Sequence, residues 1–372
     1  MGVIGCGGMA QSHMRYFQDV RGLKFTAASD THGPNLQKVV QTYGVKGFDD
    51  GTALLESGLV DAVLIGTPHY FHPTYAAAAL ERGVHVMSEK PVAVTAKAAA
   101  RVNEVHAEHP DLMYGVMYQY RAVPRWRTMK DLIASGRIGN ILRVHWTATN
   151  WFRTQAYYDS GGWRATWKGE GGGVLLNQCP HNIDVMYWLF GLPRRIRAFV
   201  GIGRYHRIEV EDDVTAVFEY ENGATGVFIT STGEYPGSNA MEVVGDLGRI
   251  QLAPTGPIEC ITLDQSSRRF SDQDPSRMGA GPQQTRTLIE PPEGGIHRNV
   301  MQGFIDAILH QDASRIFAPG DEGLHSVEMI NAMIMSGLTG KPVDLPTDRD
   351  GYEKLLQDLI AQSEAKNTRA SA

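Results

Sequence analysis

The stretch Gly5-Cys6-Gly7-Gly8-Met9-Ala10 decides the fold of this chain. It follows a short apolar strand end, Gly2-Val3-Ile4, and opens a helix predicted over Met9 to Val20. Glycines at a strand-to-helix turn allow the tight backbone and the close approach of a pyrophosphate. A second strand, Leu23 to Ser29, ends at Asp30, where a carboxylate can accept hydrogen bonds from ribose hydroxyls. The pattern predicts a dinucleotide-binding unit; the simpler alternative is a purely structural turn.

Asp30 also bears on which dinucleotide is bound. An adenosine 2′-phosphate would lie beside this carboxylate, and the next residue is Thr31 rather than an arginine that could neutralise the phosphate. We therefore expect NAD rather than NADP. Only Gly2 to Ile4 separate Gly5 from Met1, which is short for a central strand, so we also expect the natural chain to begin a few residues upstream.

Composition and charge favour a two-domain soluble enzyme. The chain has 372 residues, of which 42% are hydrophobic and 20% charged, and its formal net charge is -6. This balance gives no electrostatic footprint for nucleic acid, and the absence of a long apolar run or a leader pattern predicts no membrane partner. The three scattered cysteines, Cys6, Cys179 and Cys260, suit reduced thiols in the cytoplasm, and no Cys-x-x-Cys spacing indicates a metal site.

Strands and helices alternate through the first part of the chain, which predicts an α/β fold with a doubly wound parallel sheet and a ligand beyond the carboxyl ends of its strands. We assign residues 1–120 to a Rossmann NAD-binding domain. Further strands are predicted at Val45 to Phe48, Ala62 to Gly66, Val84 to Met87 and Leu112 to Met117, and helices from Pro73 to Glu81 and from Ala96 to His109 with Thr95 as cap.

The second part has a different pattern. Asn222-Gly223 between two β-rich runs is a strong hairpin signal. We assign residues 121–372 to an α+β domain for substrate binding and oligomerisation, with a large, open, mostly antiparallel sheet. A surface loop is expected over Asp274 to Gly295 and a disordered tail over 365–372. The predicted strands are Ile141 to Thr147, Ile196 to Val200, Val214 to Tyr220, Thr225 to Thr230, Met241 to Val244 and Arg249 to Leu252, and the helices are Arg125 to Ser135, His181 to Phe190, His297 to His310, Glu322 to Met335 and Tyr352 to Ser363.

Three motifs resemble the glucose-fructose oxidoreductase, inositol dehydrogenase and rhizopine catabolism family (Gfo/Idh/MocA): Thr67-Pro68-His69-Tyr70-Phe71-His72, Glu89-Lys90-Pro91, and the run from Gly171 to Asp184. The resemblance covers nearly the whole chain, and it implies a Rossmann domain, a substrate domain with an open sheet, NAD(H) or NADP(H), and homo-oligomers, dimers or tetramers, built through that sheet. The expected cofactor contacts are Gly5, Gly7, Gly8, Met9, Ala10, Asp30, Thr67, Pro68, His72, Glu89 and Lys90.

Lys90 falls on the catalytic lysine of this family. An ammonium there can donate a hydrogen bond to a substrate oxygen and stabilise the alkoxide that develops as hydride leaves the neighbouring carbon. The cationic oxidised nicotinamide should depress the lysine's pKa. The alternative is a solvent-facing lysine after a strand. Glu89 is expected to contact the nicotinamide ribose.

The motif expected to supply the second half of the site departs from the family pattern. Their Asp-x-x-x-His pattern is here Asn177 to His181. His181 begins a helix, whose dipole keeps the ring neutral as a general base requires, so we expect it to take the hydroxyl proton; a core or capping histidine is the alternative. Asn177 cannot stabilise an imidazolium by charge, so the base should titrate lower than in Asp-bearing relatives. Asp184, one turn on, is expected either to orient the ring or to be solvated.

Aromatic crowding indicates the substrate class. All six tryptophans lie between Trp126 and Trp188, interleaved with arginines. Flat rings pack against the CH face of a sugar, and Arg or Tyr groups bind its hydroxyls, although at least half of these rings should belong to the core. Cys179 is interpreted as packing. The expected substrate contacts are Trp151, Arg153, Tyr158, Trp163 and Arg164, besides Asn177 and His181, with His72 and Tyr120 as weaker candidates.

These observations favour reversible, NAD-dependent oxidation of a secondary hydroxyl of a sugar, glycoside or cyclitol, with Lys90, His181 and Asn177 as the catalytic group. The branch resembled includes enzymes acting on glucosides. The alternatives are a glycosidase that oxidises its sugar transiently and eliminates the aglycone, a non-catalytic NAD-binding regulator, and a dehydrogenase for a non-sugar substrate such as an aromatic dihydrodiol.

Overall fold

A computed structural model describes residues 1–294 and 297–370 of the chain. The N-terminal part alternates strands and helices as predicted. The strands are β1 (Gly2–Ile4), β2 (Ala27–Ser29), β3 (Lys46–Phe48), β4 (Ala62–Ile65), β5 (His85–Ser88) and β6 (Tyr114–Val116), and the helices are α1 (Gly8–Met14), α2 (Gly33–Tyr43), α3 (Gly51–Glu56), α4 (His72–Leu80) and α5 (Ala96–Glu108).

The six strands form a parallel sheet in the order β3-β2-β1-β4-β5-β6. Strand order reverses between β1 and β4, and ligands of doubly wound sheets bind beyond the carboxyl ends of the strands at such a point. Gly5 and Gly66 follow these two strands directly. A Cβ atom on Gly5, whose φ is +89°, would lie 2.8 Å from the backbone of Gly66. The segments that follow β1 and β4 therefore approach each other too closely at the switch point for a side chain at position 5, which explains the glycine there.

The predicted doubly wound sheet is confirmed, with shifted element ends. β2 begins at Ala27 rather than Leu23, and α1 ends at Met14 before a separate 3₁₀ turn at Phe17–Asp19. Thr95 caps α5 by accepting a hydrogen bond from the amide of Ala98, as its position predicted.

The second part of the chain builds a larger sheet. Its strands are β7 (Ile141–Ala148), β8 (Arg195–Ile202), β9 (Glu211–Glu219), β10 (Thr225–Ser231), β11 (Asn239–Gly245), β12 (Gly248–Leu252), β13 (Ile258–Leu263), β14 (Gln284–Ile289) and β15 (Val343–Asp344). Its helices are α6 (Pro124–Ala134), α7 (Gln155–Asp159), α8 (Val174–Asn177), α9 (Pro180–Phe190), α10 (Ser267–Gln273), α11 (His297–His310), α12 (Gly323–Thr339) and α13 (Arg349–Ala370).

The nine strands are ordered β14-β13-β12-β11-β7-β10-β9-β8-β15, and all neighbours are antiparallel except β7 and β10. The mostly antiparallel sheet is thus confirmed. Two local predictions are wrong. The segment from Asp274 to Gly295, which was expected to be a loop, contains the edge strand β14; its last residue, Gly295, lies outside the described residues. Helix α13 continues through Ala370, so residues 365–370 of the expected tail are helical. Residues 371 and 372 lie outside the described residues.

The two faces of the large sheet differ. Helices α9 and α12 pack against one face of the sheet and form a buried core with it. The opposite face of the sheet carries exposed apolar side chains such as Phe199, 64% exposed, and Val217, 38% exposed. The alternation of buried and exposed positions along β9 follows from the two-residue period of a strand.

The C-terminal helices connect the two sheets. Helix α11 packs Val300, Met301 and Phe304 into the core that contains Val3 and Met14 of the parallel sheet layer. Among the described residues, none of the helices combines the length and the apolarity that a bilayer crossing demands.

Candidate active site

The glycine loop fits a pyrophosphate. Gly7 caps α1 and Gly8 begins it, and a Cβ atom on either would have no neighbour within 4 Å, so both backbones face open space. Met9 is half exposed beside them, whereas Ala10 is buried and lies under Gly66, where a Cβ on that glycine would be 3.0 Å from the Cβ of Ala10. The amides at a helix N-terminus attract phosphate. Ala10 therefore supports the loop from below instead of forming part of its open face.

Asp30 stands at the end of β2 beside this loop. Its Oδ2 accepts a hydrogen bond from the amide of Cys6 at 2.7 Å, and its Oδ1 accepts one from the amide of His32 at 2.7 Å. Each carboxylate oxygen keeps a second lone pair, so the two bonds orient the group without exhausting it as an acceptor. The site fits the ribose contact predicted from the sequence.

Glu89 is buried at the end of β5 and bonded to the first helix. Its Oε1 pairs with Nε2 of His13, whose Nδ1 contacts the hydroxyl of Tyr16, and its Oε2 accepts the amide of Lys90 at 3.1 Å. Burial alone would raise the pKa of Glu89, but the attraction and hydrogen bond of His13 and the charge of Lys90 lower it to about 2. Sequence reasoning did not identify His13, although its position in α1 places it below the glycine loop.

Lys90 reaches from the parallel sheet into the second part of the chain. Its Nζ donates a hydrogen bond to the carbonyl oxygen of Asn177, the last residue of α8, at 2.6 Å. Burial lowers the pKa of Lys90, Glu89 and Glu170 act in the opposite direction, and Arg164 lowers it further. The solvent-facing alternative for Lys90 is therefore wrong, because the amine is inserted between the two halves.

Glu170 is a buried carboxylate that the sequence analysis did not select. Its Oε1 accepts a hydrogen bond from Nδ2 of Asn177, and its Oε2 accepts the amide of Ala165 at 2.7 Å. Burial raises its pKa, against the effects of these bonds and of Arg164 and Lys90. A carboxylate therefore contacts Asn177, at the position where the family resemblance implied an aspartate. The available signal was Glu170 standing immediately before three consecutive glycines.

His181 lies in the first turn of α9, as predicted. The ring is buried, and its Nδ1 has no hydrogen-bond partner among the described residues. It packs at 5.3 Å from the ring of Tyr120 and at 6.0 Å from that of Tyr118. Burial, followed by the charge of Lys90, lowers the pKa of His181 well below its ordinary value. The ring is therefore neutral and retains a nitrogen that can accept a proton.

Asp184 does not orient His181, nor is it solvated, so both predictions for it are wrong. Its Oδ1 and Oδ2 accept hydrogen bonds from Arg121 at 2.6 and 2.9 Å, and neither side chain is more than 1% exposed. Arg121 also donates to Glu322 at 2.6 Å. The sequence concealed this pair because its members lie 63 residues apart.

The motif from Thr67 to His72 is hydrogen-bonded to the turn that contains Lys90 and Pro91. His72 is buried, and its Nδ1 and Nε2 each lie 2.7 Å from a carbonyl oxygen, those of Pro91 and Thr67. Neither nitrogen is left for a cofactor or a substrate, so the predicted role of His72 as a contact is wrong. The hydroxyl of Thr67 is buried with no partner among the described residues, and Pro68 precedes the 3₁₀ turn at His69–Phe71.

A cluster of arginines and aromatic rings lies next to Asn177. Arg153 is over the rings of Trp151 and Tyr157, and Arg164 is over those of Tyr157 and Trp163. The hydroxyl of Tyr157 accepts hydrogen bonds from Arg164 at 3.0 Å, Gln178 at 3.2 Å and Asn177 at 3.4 Å. Three predicted substrate contacts, Arg153, Arg164 and Asn177, thus converge on Tyr157, which sequence reasoning had not selected.

Other aromatic and sulfur groups are packing elements. Tyr158 is buried in the core and donates its hydroxyl to Thr232 at 2.8 Å, so its predicted place in the substrate cleft is wrong. Trp126, Trp146 and Trp167 are buried too, as expected for half of the tryptophans. Cys179 is buried against Thr230, and burial raises the pKa of its thiol to about 12, as suits an inert side chain. The half-buried Tyr120 stacks on Trp126 and reaches His181.

The fold and this site define a class: an NAD-binding oxidoreductase made of a Rossmann sheet and a second, mostly antiparallel sheet. Residues 1–118 match the NAD-binding Rossmann fold of an oxidoreductase family, and residues 126–251 match the GFO/IDH/MocA C-terminal domain. The chain belongs to the Gfo/Idh/MocA family.

Relatives and solved structures agree with this assignment. Inositol 2-dehydrogenase 2 of Saccharopolyspora erythraea is 31% identical over 68% of this chain and 73% of that protein. Inositol 2-dehydrogenase of Serratia proteamaculans is 26% identical over 95% and 99% of the two chains. The structure of the WlbA dehydrogenase from Bordetella pertussis, in complex with NADH and UDP-GlcNAcA, has a TM-score of 0.76 at 25% identity and covers 93% of this chain and 98% of its own.

Proposed function

We propose that this protein reversibly oxidises a secondary hydroxyl of a sugar, glycoside or cyclitol, with NAD as the hydride acceptor. The observation that supports this most directly is the meeting of two halves: Lys90, after β5, donates to the carbonyl of Asn177 in α8, and the neutral His181 follows in α9. The names of the inositol dehydrogenases among its relatives agree with a polyol substrate.

The residues present fit the dinucleotide. The open backbone at Gly7 and Gly8 would hold the pyrophosphate, Asp30 the adenosine ribose, and the turn at Glu89 and Lys90 the region of the nicotinamide ribose. When bound, NAD supplies the acceptor for the hydride.

Each catalytic side chain has a separate task in this proposal. His181 is assigned the hydroxyl proton because its ring, in the first turn of α9, is neutral and lies near the charge of Lys90. The ammonium of Lys90 donates to the substrate oxygen and stabilises the negative charge that develops there. The side chain of Asn177, bonded to Glu170, positions the end of α8 against Lys90.

The test measures NADH formation over a panel of aldoses, glycosides and inositols, with NADP run beside NAD. We expect Lys90→Met and His181→Ala to lose roughly 10²- to 10⁴-fold in kcat. Both should still bind NADH, as measured by fluorescence titration. Lys354→Met and His310→Ala, at exposed positions far along the chain, are the matched controls. Retained turnover in both site variants would refute the assignment.

Product analysis separates this activity from a transient oxidation that ends in hydrolysis. A dehydrogenase accumulates NADH and a keto sugar in equal amounts, whereas a glycosidase of that kind releases a free sugar without net NADH.

We also propose that the chain divides at residue 120, that it works in the cytoplasm, and that it forms dimers or tetramers through the open face of the large sheet. The three free, buried cysteines support a reducing compartment. Phe199 and Val217, exposed on the neighbouring strands β8 and β9, support a covered face. Light scattering on Phe199→Asp should then show a smaller particle than the unaltered protein, and an identical mass would contradict the interface.

A further inference from the structure

The charges in the substrate cleft do not balance. Lys90, Arg153 and Arg164 bring three cationic groups to the region around Tyr157 and Asn177. The neighbouring carboxylates are Glu170 and Glu211, and burial raises the pKa of both, that of Glu211 to about 7. Glu89, on the far side of Lys90, is bonded to His13. Burial is the main cause that lowers the pKa of Lys90, and Arg164 lowers it further, against the opposite effects of Glu89 and Glu170. Oxidised nicotinamide would add another cation.

Neither arginine has an acidic partner in the described part of the chain. Arg153 donates from one terminal nitrogen to the carbonyl oxygens of Trp151 and Phe152, at 3.3 and 2.9 Å. Arg164 donates from one terminal nitrogen to the hydroxyl of Tyr157 at 3.0 Å. A guanidinium has five N–H donors, so each arginine keeps several for a ligand. Several surface arginines elsewhere in the protein, such as Arg195 with Asp344 and Arg204 with Asp213, are paired with carboxylates.

Aromatic rings hold both guanidinium groups in place. Arg153 lies 5.2 Å and Arg164 lies 4.8 Å from the centroid of the Tyr157 ring, and Arg164 lies 4.6 Å from that of Trp163. Stacking orders the two planar forks without neutralising their charge, which lowers the entropy lost when an anion binds. Tyr157 connects them to the reaction centre, because its hydroxyl also accepts a hydrogen bond from the side chain of Asn177.

From this arrangement, and resting on the proposed function, we infer that the physiological substrate is an anionic sugar, whose carboxylate or phosphate is bound by Arg153 and Arg164 while a ring hydroxyl is presented to Lys90 and His181. A neutral sugar would leave two partly buried guanidinium groups without a counter-charge. Carboxylate and phosphate both offer a pair of anionic oxygens that a guanidinium fork can bind with two parallel hydrogen bonds.

Matched pairs of sugars test the inference. Glucuronate and glucose 6-phosphate are each compared with glucose, first for binding to the NADH-loaded protein by calorimetry and then for NADH formation with NAD. We expect at least one anion to bind about 10- to 100-fold more tightly than glucose, as charge-assisted hydrogen bonds imply. Raising the salt concentration should reduce that preference. A preference for one of the two identifies the anion.

Arginine variants locate the effect. Arg164→Met and Arg153→Met keep much of the side-chain volume and remove the charge, so the ratio of anion to glucose affinity should fall about tenfold or more in each. Arg101→Met, at a helix position whose side chain is 68% exposed, is the matched control and should keep the ratio.

Three results would be decisive. Equal or weaker binding of both anions overturns the inference, even if glucose or another neutral sugar is oxidised. An unchanged ratio in both arginine variants overturns the assignment to these residues. A binding preference with no NADH from any sugar supports anion recognition here and refutes the proposed oxidation alone.

Discussion

Replacing Asp184 by asparagine should strongly destabilise the protein without touching the cofactor loop. The carboxylate accepts two hydrogen bonds from Arg121, at 2.6 and 2.9 Å, and the two side chains are 0% and 1% exposed. Asparagine keeps one oxygen for one of these bonds and loses the negative charge. The guanidinium then remains buried and only partly compensated.

The magnitude follows from what remains of the network. Breaking a buried ion pair by removing one partner costs about 3–5 kcal/mol. Arg121 still donates to Glu322 at 2.6 Å, so we expect the lower end, about 3 kcal/mol for Asp184→Asn. The exposed pair of Arg195 and Asp344 provides the comparison, because its side chains are 41% and 68% exposed. There, Asp344→Asn should cost less than about 1 kcal/mol.

Urea unfolding of the cofactor-free protein, followed by tryptophan fluorescence, measures both values. Trp188 lies 5.6 Å from the guanidinium of Arg121 and reports on this region directly. The double variant Arg121→Met/Asp184→Leu should be less destabilised than Asp184→Asn, because replacing both members of a buried pair by apolar groups removes the uncompensated charge.

Two outcomes would refute this reasoning. A loss of less than about 1 kcal/mol in Asp184→Asn would mean that the pair is effectively solvated. If the cost of Arg121→Met/Asp184→Leu equalled the sum of the costs of Arg121→Met and Asp184→Leu measured separately, the partners would not be coupled.

Three further predictions concern the site. The double variant Asn177→Asp/Glu170→Gln moves the carboxylate to position 177 and should raise the apparent pKa of the acidic limb of the pH profile of kcat, because a negative charge there favours the protonated form of its neighbours. Asn177→Asp alone should raise that pKa less, since two touching carboxylates share a proton. An unchanged or lower apparent pKa in both variants would contradict this prediction. The double variant Asp30→Ser/Thr31→Arg replaces a carboxylate by a cation beside the position of the 2′-phosphate. The value of kcat/KM with NADP, divided by that with NAD, should rise at least about tenfold, and an unchanged ratio would count against the proposed cofactor orientation. Glu89 has its pKa lowered from 4.5 to about 2, so its ionised form stabilises the fold above pH 4.5 and this contribution is lost as the pH falls toward 2. It amounts to roughly 3 kcal/mol, so the stability deficit of Glu89→Gln in urea should shrink from pH 7 to pH 4, and a constant deficit would be inconsistent with it.

Several features could be predicted from the sequence because local chemistry specifies them. The glycine loop, the acid after β2 and the alternation of strands and helices each depend on residues near in the chain, and all are found where expected. Lys90 and His181 were selected separately from their motifs. The proximity of these two side chains follows from the fold, since the end of β5 and the start of α9 come together in three dimensions.

Predictions failed where a side chain's partner is distant in sequence. His72 was expected to be a contact but bonds to Thr67 and Pro91, and Tyr158 was expected in the cleft but bonds to Thr232. Both residue types are common in sites and in cores alike, so composition could not distinguish them. Glu170 and Tyr157 were missed for the same reason.

The sequence by itself determined the nucleotide-binding half and singled out Lys90 and His181 as candidates for catalysis, because glycine conformations, strand period and helix starts are properties of short segments. Only the tertiary structure decided which charges are compensated. It paired Asp184 with Arg121, set Glu170 against Asn177, and left Arg153 and Arg164 stacked on aromatic rings with no acidic partner among the residues that the structure describes. The physical reason is that a Coulomb interaction depends on distance and burial, which the order of residues along a chain does not specify.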